Sequence, residues 1–306
     1  MMWPDGFTDK IRMYIPRYVQ EINPVKFLRY GPRGEEKPGL LDESGRIRDL
    51  SGQLNDLDGA ALDPDRLKAL AKLDTESLPR VEGTVRLGCP VNNVGKIIAV
   101  GLNYTDHALE VGMKVPDEPV LFSKTITALN GPNDDVILPK GGEKGDWEVE
   151  LAIIIGRKAQ YVEQAEAIGF IAGYAVANDI SERAFQLEST GQWIKGKGFD
   201  TSAPVGPWLV TTDEITDPQS LNIWLEVNGT RYQDGNTRTM AFGVAHIVSY
   251  ISQYMTLMPG DIVITGTPPG VGVGHKPPVF LKDGDVMRLG VEGLGEQNQL
   301  VRAYPG

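Results

Sequence analysis

The chain has 306 residues and a formal net charge of −11, from 41 acidic against 30 basic side chains. That surplus repels phosphate backbones and argues against a nucleic-acid partner. Cys89 is the single cysteine, which excludes an intrachain disulfide and a cysteine-based zinc site and fits a reducing, cytoplasmic setting.

Residues 1–24 read as an N-terminal extension. Asp5, Asp9 and Glu21 interrupt it, so it lacks a signal-peptide pattern, and Trp3, Phe7, Tyr14 and Tyr18 suit packing on a neighbour. Residues 25–90 read as a small α/β lobe. Within it, a strand is expected at 25–30, a hairpin at 39–41 and 46–50 around Asp42-Glu43-Ser44-Gly45, and a helix at 63–73 with Pro64 in its first turn. Residues 88–95 read as a linker.

Residues 91–306 form the presumed catalytic domain. Short strands are expected at 96–100, 120–124, 136–138, 147–155, 168–178, 207–211, 221–227, 261–265 and 286–291, with helices at 181–188 and 241–254. Strands dominate and do not alternate with helices, so the pattern is a β-rich α+β fold and not a doubly wound sheet. No stretch approaches the ~20 apolar residues of a membrane-spanning helix.

The chemistry begins at Asp146-Trp147-Glu148-Val149-Glu150, followed by Leu151-Ala152-Ile153-Ile154-Ile155. Along a strand, Glu148 and Glu150 share a face, and the run after them is apolar on both faces. Two adjacent carboxylates in such a place either take up protons or hold a hard cation; in isolation the same pattern also fits a strand end with both glutamates in water. Asp179 follows the next strand and is a third candidate ligand, although with Glu182 it also spells a helix capping box. Arg183 and Gln186, three apart on one helical face, and the basic segment around Lys197 suit an anionic, oxygen-rich substrate.

His107 and Glu110 are spaced so that the carboxylate can orient the imidazole, as in a general-base pair, or form an exposed helical ion pair. His246 sits in an apolar helix pattern and reads as a packing residue, while His275, in a Gly/Pro loop, stays open. The turn Ile264-Thr265-Gly266-Thr267-Pro268-Pro269-Gly270 offers backbone N–H groups and the Thr267 hydroxyl to a carboxylate. It is neither a Walker loop nor a dinucleotide fingerprint, and no nucleophile elbow occurs in the chain.

Taken in order, Asn103-Tyr104…His107…Glu110, Glu148-x-Glu150, Asn178-Asp179-x-Ser181-x-Arg183-x-x-Gln186, Lys197-Gly198-Phe199-Asp200-Thr201 and Thr265-Gly266-Thr267-Pro268 resemble the fumarylacetoacetate hydrolase family over roughly residues 95–305. The resemblance implies a fumarylacetoacetate hydrolase-like β-sandwich roll with a small N-terminal α/β lobe, and a homodimer or higher homo-oligomer. It implies Mg²⁺ or Mn²⁺ on Glu148, Glu150 and Asp179. Catalytic roles fall on His107, Glu110 and Lys197, and contacts to a small keto acid on Tyr104, Lys124, Arg183, Gln186 and Thr267. Thr125 stands where many members carry proline, a departure that touches loop shape.

Lys26-Phe27-Leu28-Arg29-Tyr30-Gly31, Gly131-Pro132-Asn133-Asp134-Asp135 and Asp234-Gly235-Asn236-Thr237-Arg238 resemble the bacterial subgroup that includes a hydrolase of 2,4-diketo-3-deoxy-L-rhamnonate. The expected reaction is hydrolytic C–C cleavage of a 2,4-diketo acid to pyruvate and a carboxylic acid. The rival readings are a β-keto acid decarboxylase, an enol–keto isomerase, or a metal- or sugar-acid-binding module without turnover.

Overall fold

Two runs are apolar on both faces and build the centre of the molecule. Val149–Ile155 and Ile171–Asn178 are buried at every position and pair antiparallel, with Ala177 opposite Glu150 and Asn178 opposite Val149. The computed structural model describes residues 25–306 apart from Val111, Met113, Ser189 and the side chains of residues 107–109; the extension 1–24 lies outside the described residues.

A strand with both faces buried needs cover on each side. The pleat sends Leu151, Ile153 and Ile155 into one core, shared with a five-stranded sheet that includes Asn222–Val227 and Val286–Val291. Ala152 and Ile154 point the other way, into a second core with Leu62, Leu67 and Leu70 around the helix Pro64–Leu70. The helix Val244–Tyr254 closes the first core with Val244, Ile247, Val248 and Ile251. The architecture is a β-rich sandwich with few helices, as expected.

The N-terminal strands do not stand apart. Lys26–Tyr30 pairs with Ala203–Thr211, and Lys37–Leu41 and Ile47–Asp49 extend the same ten-stranded sheet outward. The segment 88–95, expected as a linker, is packed: Cys89, Val91 and Val94 all enter the second core. On the other flank, Ile262–Ile264 joins Val149–Ile155 antiparallel and Ile97–Gly101 parallel, and Val120–Lys124 closes the edge.

Several element boundaries differ from expectation. The first two residues of the helix expected at 181–188 form a short strand instead, Ser181–Glu182, paired with Gly145–Asp146; the helix is Arg183–Leu187. Glu182 is its own N-cap, its carboxylate accepting the N–H of Ala184, so the Asp179 capping box does not form. The strands Thr230–Asn236 and Gly295–Arg302 and the helix Ile194–Lys197 add to the elements expected from the sequence. Among the described residues, no helix is long and apolar enough to cross a membrane.

Candidate metal centre

Register places the acidic residues. Glu148 and Glu150 share the face of Ala152 and Ile154. Continuing the ladder past Asn178 sets Asp179 beside Glu148, where its N–H donates to the Glu148 carbonyl at 2.8 Å. One ligand oxygen from each of Glu148, Glu150 and Asp179 lies within 4.8 Å of the others, and all three residues are buried. The carboxylates are thus not a solvated strand end. Their geometry and oxygen chemistry fit a hard divalent cation such as Mg²⁺ or Mn²⁺.

Cationic partners hold the cluster together. Lys197 Nζ donates to Glu148 Oε2 at 2.6 Å and to Asp179 Oδ2 at 2.7 Å. Lys124 Nζ donates to Asp179 Oδ1 at 2.6 Å from the opposite side. Arg183 spans Asp146 and Glu148 with bonds of 2.8 and 2.7 Å, and donates a third to the amide oxygen of Gln186 at 2.9 Å. Among the described residues no cation forms an ion pair with Glu150; its Oε2 accepts the Gly266 N–H at 2.7 Å. Burial and then the neighbouring Asp179 and Glu148 charges push its carboxyl well above the usual range. Burial disfavours the charge on Lys197, but Asp179 and Glu148 outweigh it and raise its pKa. Burial, helped by the Lys197 charge, lowers that of Lys124.

Local sequence sets these side chains in reach. The helix Ile194–Lys197 packs hard on Arg183–Leu187: a Cβ on Gly196 would fall 2.5 Å from the Glu182 carbonyl oxygen. Glycine there lets the Lys197 backbone approach. The turn after Ile262–Ile264 carries a second such position. Gly270 has φ +105°, and a Cβ would meet the Tyr232 carbonyl oxygen at 1.9 Å.

A cavity of about 640 Å³ opens over the cluster. Glu110, Glu148, Glu150, Arg183, Gln186, Lys197 and Thr267 all line it. Glu110 is fixed by the Gly270 N–H at 3.0 and 3.2 Å to its two oxygens. His107 lies in the helix Thr105–Glu110, and its side chain is outside the described residues. Lys124 and Tyr104 do not line the cavity. Lys124 instead serves Asp179 from behind, and Tyr104 is fully buried, its hydroxyl without a hydrogen-bond partner among the described residues. The Thr267 hydroxyl donates to the Val149 carbonyl at 2.8 Å and accepts from Gln233 at 2.7 Å.

Two further residues, Asp146 and Gln233, organise the site. Asp146 is fully buried and accepts from Arg183 Nε and from the N–H groups of Trp147, Gly272 and Val273. Gln233 reaches from the five-stranded sheet to accept the Val149 N–H and donate to Thr267 and Pro268. Asp146 stood in view inside the acidic segment; nothing local marked Gln233.

With this geometry in place, the comparison with known proteins is decisive. Residues 96–302 match the fumarylacetoacetate hydrolase C-terminal family. The chain belongs to the fumarylacetoacetate hydrolase family. It is 59% identical over 280 residues to a candidate hydrolase of Burkholderia multivorans, covering 91% of this chain and 99% of that one. A fumarylacetoacetate hydrolase from psychrophilic Exiguobacterium antarcticum superposes with TM-score 0.82 at 34% identity, over 92% of this chain and all of that one (100%). A maleylpyruvate hydrolase from Sphingobium sp. SYK-6, solved with manganese(II) and pyruvate, gives TM-score 0.76 at 30% identity, over 91% and 99% of the two chains. Members of this family are enzymes, and the buried Glu148–Glu150–Asp179 cluster is where this member offers a divalent-metal site.

Proposed function

We propose that this enzyme hydrolyses the C–C bond of a 2,4-diketo acid, releasing pyruvate and a carboxylic acid, with 2,4-diketo-3-deoxy-L-rhamnonate, which would give L-lactate, as its substrate. The observation that carries the reading is the convergence of three buried carboxylates and the Lys197 ammonium at the base of one cavity. Glu148, Glu150 and Asp179 would hold Mg²⁺ or Mn²⁺ there, and the ion would supply Lewis acidity for the keto acid. Gln186 has its amide oxygen committed to Arg183, which leaves its N–H₂ to face the substrate carboxylate. Lys197 places a positive charge where an enolate would develop as the bond breaks, and its burial makes that charge strong.

Glu110 borders the cavity, anchored by the Gly270 N–H, and is one helical turn from His107. In this reading the pair takes a proton from the water that attacks the C4 carbonyl. The single cysteine suits a cytoplasmic setting, and the family resemblance supports a homodimer or higher homo-oligomer; light scattering would weigh a dimer at twice the 33.4 kDa of the chain.

The test is a panel of acylpyruvates incubated with the magnesium-loaded enzyme, with and without EDTA. Stoichiometric pyruvate plus a carboxylic acid, abolished by EDTA, is expected. Release of CO₂ would favour a decarboxylase, and a spectral change without pyruvate an isomerase. His107→Ala is expected to slow cleavage by roughly 10²-fold or more while metal still binds; near-normal turnover would remove the base pair from the mechanism.

A further inference from the structure

We propose that the Thr267 hydroxyl and the Gln233 amide are positioning groups of the metal centre: they close a hydrogen-bonded ring on Val149 that fixes how Glu148 and Glu150 are presented, and through this they set the affinity for the divalent ion. The proposal rests on the metal centre and not on the reaction proposed for it.

The sheet creates the need for such a ring. Ile262–Ile264 pairs with the ligand strand only over Ala152–Ile154, and the last backbone bond on that edge runs from the Thr265 N–H to the Leu151 carbonyl at 3.1 Å. The chain then turns away, and the Gly266 N–H goes to the Glu150 carboxylate instead of to backbone. The opposite edge stays paired, with Asn178 across from Val149 and the Asp179 N–H on the Glu148 carbonyl. On the open edge the N–H and C=O of the fully buried Val149 have no strand to meet, and buried backbone groups require partners.

Side chains replace the missing rungs. Gln233 Oε1 accepts the Val149 N–H at 3.0 Å, Gln233 Nε2 donates to Thr267 Oγ1 at 2.7 Å, and Thr267 Oγ1 donates to the Val149 carbonyl at 2.8 Å. The Val149 N–H belongs to the peptide that joins it to Glu148, and its carbonyl to the peptide that joins it to Glu150. Both peptide planes are held, and with them the direction in which each ligand leaves the strand. Glycine lets the supporting strand Thr230–Asn236 come this close to the turn: a Cβ on Gly235 would fall 2.5 Å from Pro268 Cβ. The Gln233 amide also donates to the Pro268 carbonyl at 2.8 Å, tying the turn to the same support.

The ring also commits the hydroxyl. Thr267 carries one hydroxyl proton, and the Val149 carbonyl holds it, so the side chain has none to give to a substrate carboxylate. Although Thr267 lines the cavity, its hydroxyl serves the strand that bears the ligands.

The experiment titrates EDTA-stripped protein with Mn²⁺ by calorimetry, then adds pyruvate at saturating Mn²⁺. The proteins are the wild type, Thr267→Val, Thr267→Ser, Gln233→Met and the double variant Thr267→Val/Gln233→Met. Valine keeps the shape and the backbone N–H, serine keeps the hydroxyl, and methionine keeps the length without the amide. Thr267→Val and Gln233→Met are each expected to weaken Mn²⁺ binding about tenfold or more. Thr267→Ser should stay near the wild type, and the double variant should lose little beyond either single one, because one break opens the ring. Pyruvate affinity at saturating Mn²⁺ should hold in Thr267→Val. Wild-type Mn²⁺ affinity in Thr267→Val overturns the proposal, as do losses that multiply in the double variant; weaker pyruvate binding with unchanged Mn²⁺ affinity would return the hydroxyl to the substrate. Near-ultraviolet circular dichroism of each stripped protein checks the fold, and if Gln233→Met loses the native signal, Thr267→Val against Thr267→Ser decides. A wild type that binds no Mn²⁺ fails the metal centre and this proposal with it, whereas a Mn²⁺-loaded wild type that cleaves no acylpyruvate fails only the reaction.

Discussion

Lys124 shows how much of the site's stability hangs on single atoms. Its ammonium is fully shielded from water and faces Asp179 Oδ1 and the Ile180 carbonyl. Lys124→Met fills the same volume but leaves one oxygen of a buried carboxylate without its cation. Breaking a buried pair from one side costs ~3–5 kcal/mol, so the urea midpoint should fall sharply with the slope unchanged; a midpoint within error of the wild type would mean that Lys197 alone satisfies Asp179. The acidic cluster was legible only as a set: period-two spacing put Glu148 and Glu150 on one face, a pattern that alone also fits a strand end in water, and it was their order with Asp179, Arg183, Gln186 and Lys197 that resembled a family. The division of labour between the lysines was not legible. Which ammonium sits behind Asp179 and which faces the cavity depends on register between strands far apart in the chain. Whether Asp179 was a ligand or a helix cap turned on a helix start that only tertiary pairing of Ser181–Glu182 fixed.

At the scale of elements, the helix Pro64–Leu70 seals the second core and begins at Asp63, whose carboxylate accepts the Asp65 N–H at 2.9 Å. The bond from Arg157, and then the Asp65 N–H, hold the Asp63 carboxyl down at about 2, against an ordinary 3.8. A depressed carboxyl stabilises the fold at pH values above its ordinary range and stops doing so as the pH falls toward about 2. Asp63→Ala should cost about 1 kcal/mol at neutral pH through the lost cap, with the part-exposed pair to Arg157 adding little. The difference in melting temperature between variant and wild type should shrink as the pH drops from about 5 to 2; a constant difference would remove the charge from the explanation. The apolar strands and this helix were visible from pattern, within a few residues at their ends. Thr230–Asn236 and Gly295–Arg302 were not, because their inward positions include Gln233, Gln297 and Gln299, which are buried and hydrogen-bonded. A strand whose inner face is amide has no hydrophobic alternation to detect.

For the molecule as a whole, the carboxylates that would bind a metal already have Lys124, Lys197, Arg183 and the Gly266 N–H arrayed around them. EDTA-stripped enzyme should therefore keep a single cooperative melt and native near-ultraviolet circular dichroism while losing turnover, and adding metal should raise the melting temperature with concentration. Loss of the folded baseline on stripping would show that the ion is part of the scaffold. The N-terminal strands, joined through Lys26–Tyr30 to Ala203–Thr211, should melt in the same transition as the catalytic portion. If the stripped enzyme holds its fold, the ammonium groups around the carboxylates would let a newly made copy wait in the cell as a folded apoprotein, and the free divalent-cation pool, not the ribosome, would decide how many copies are working at a given moment.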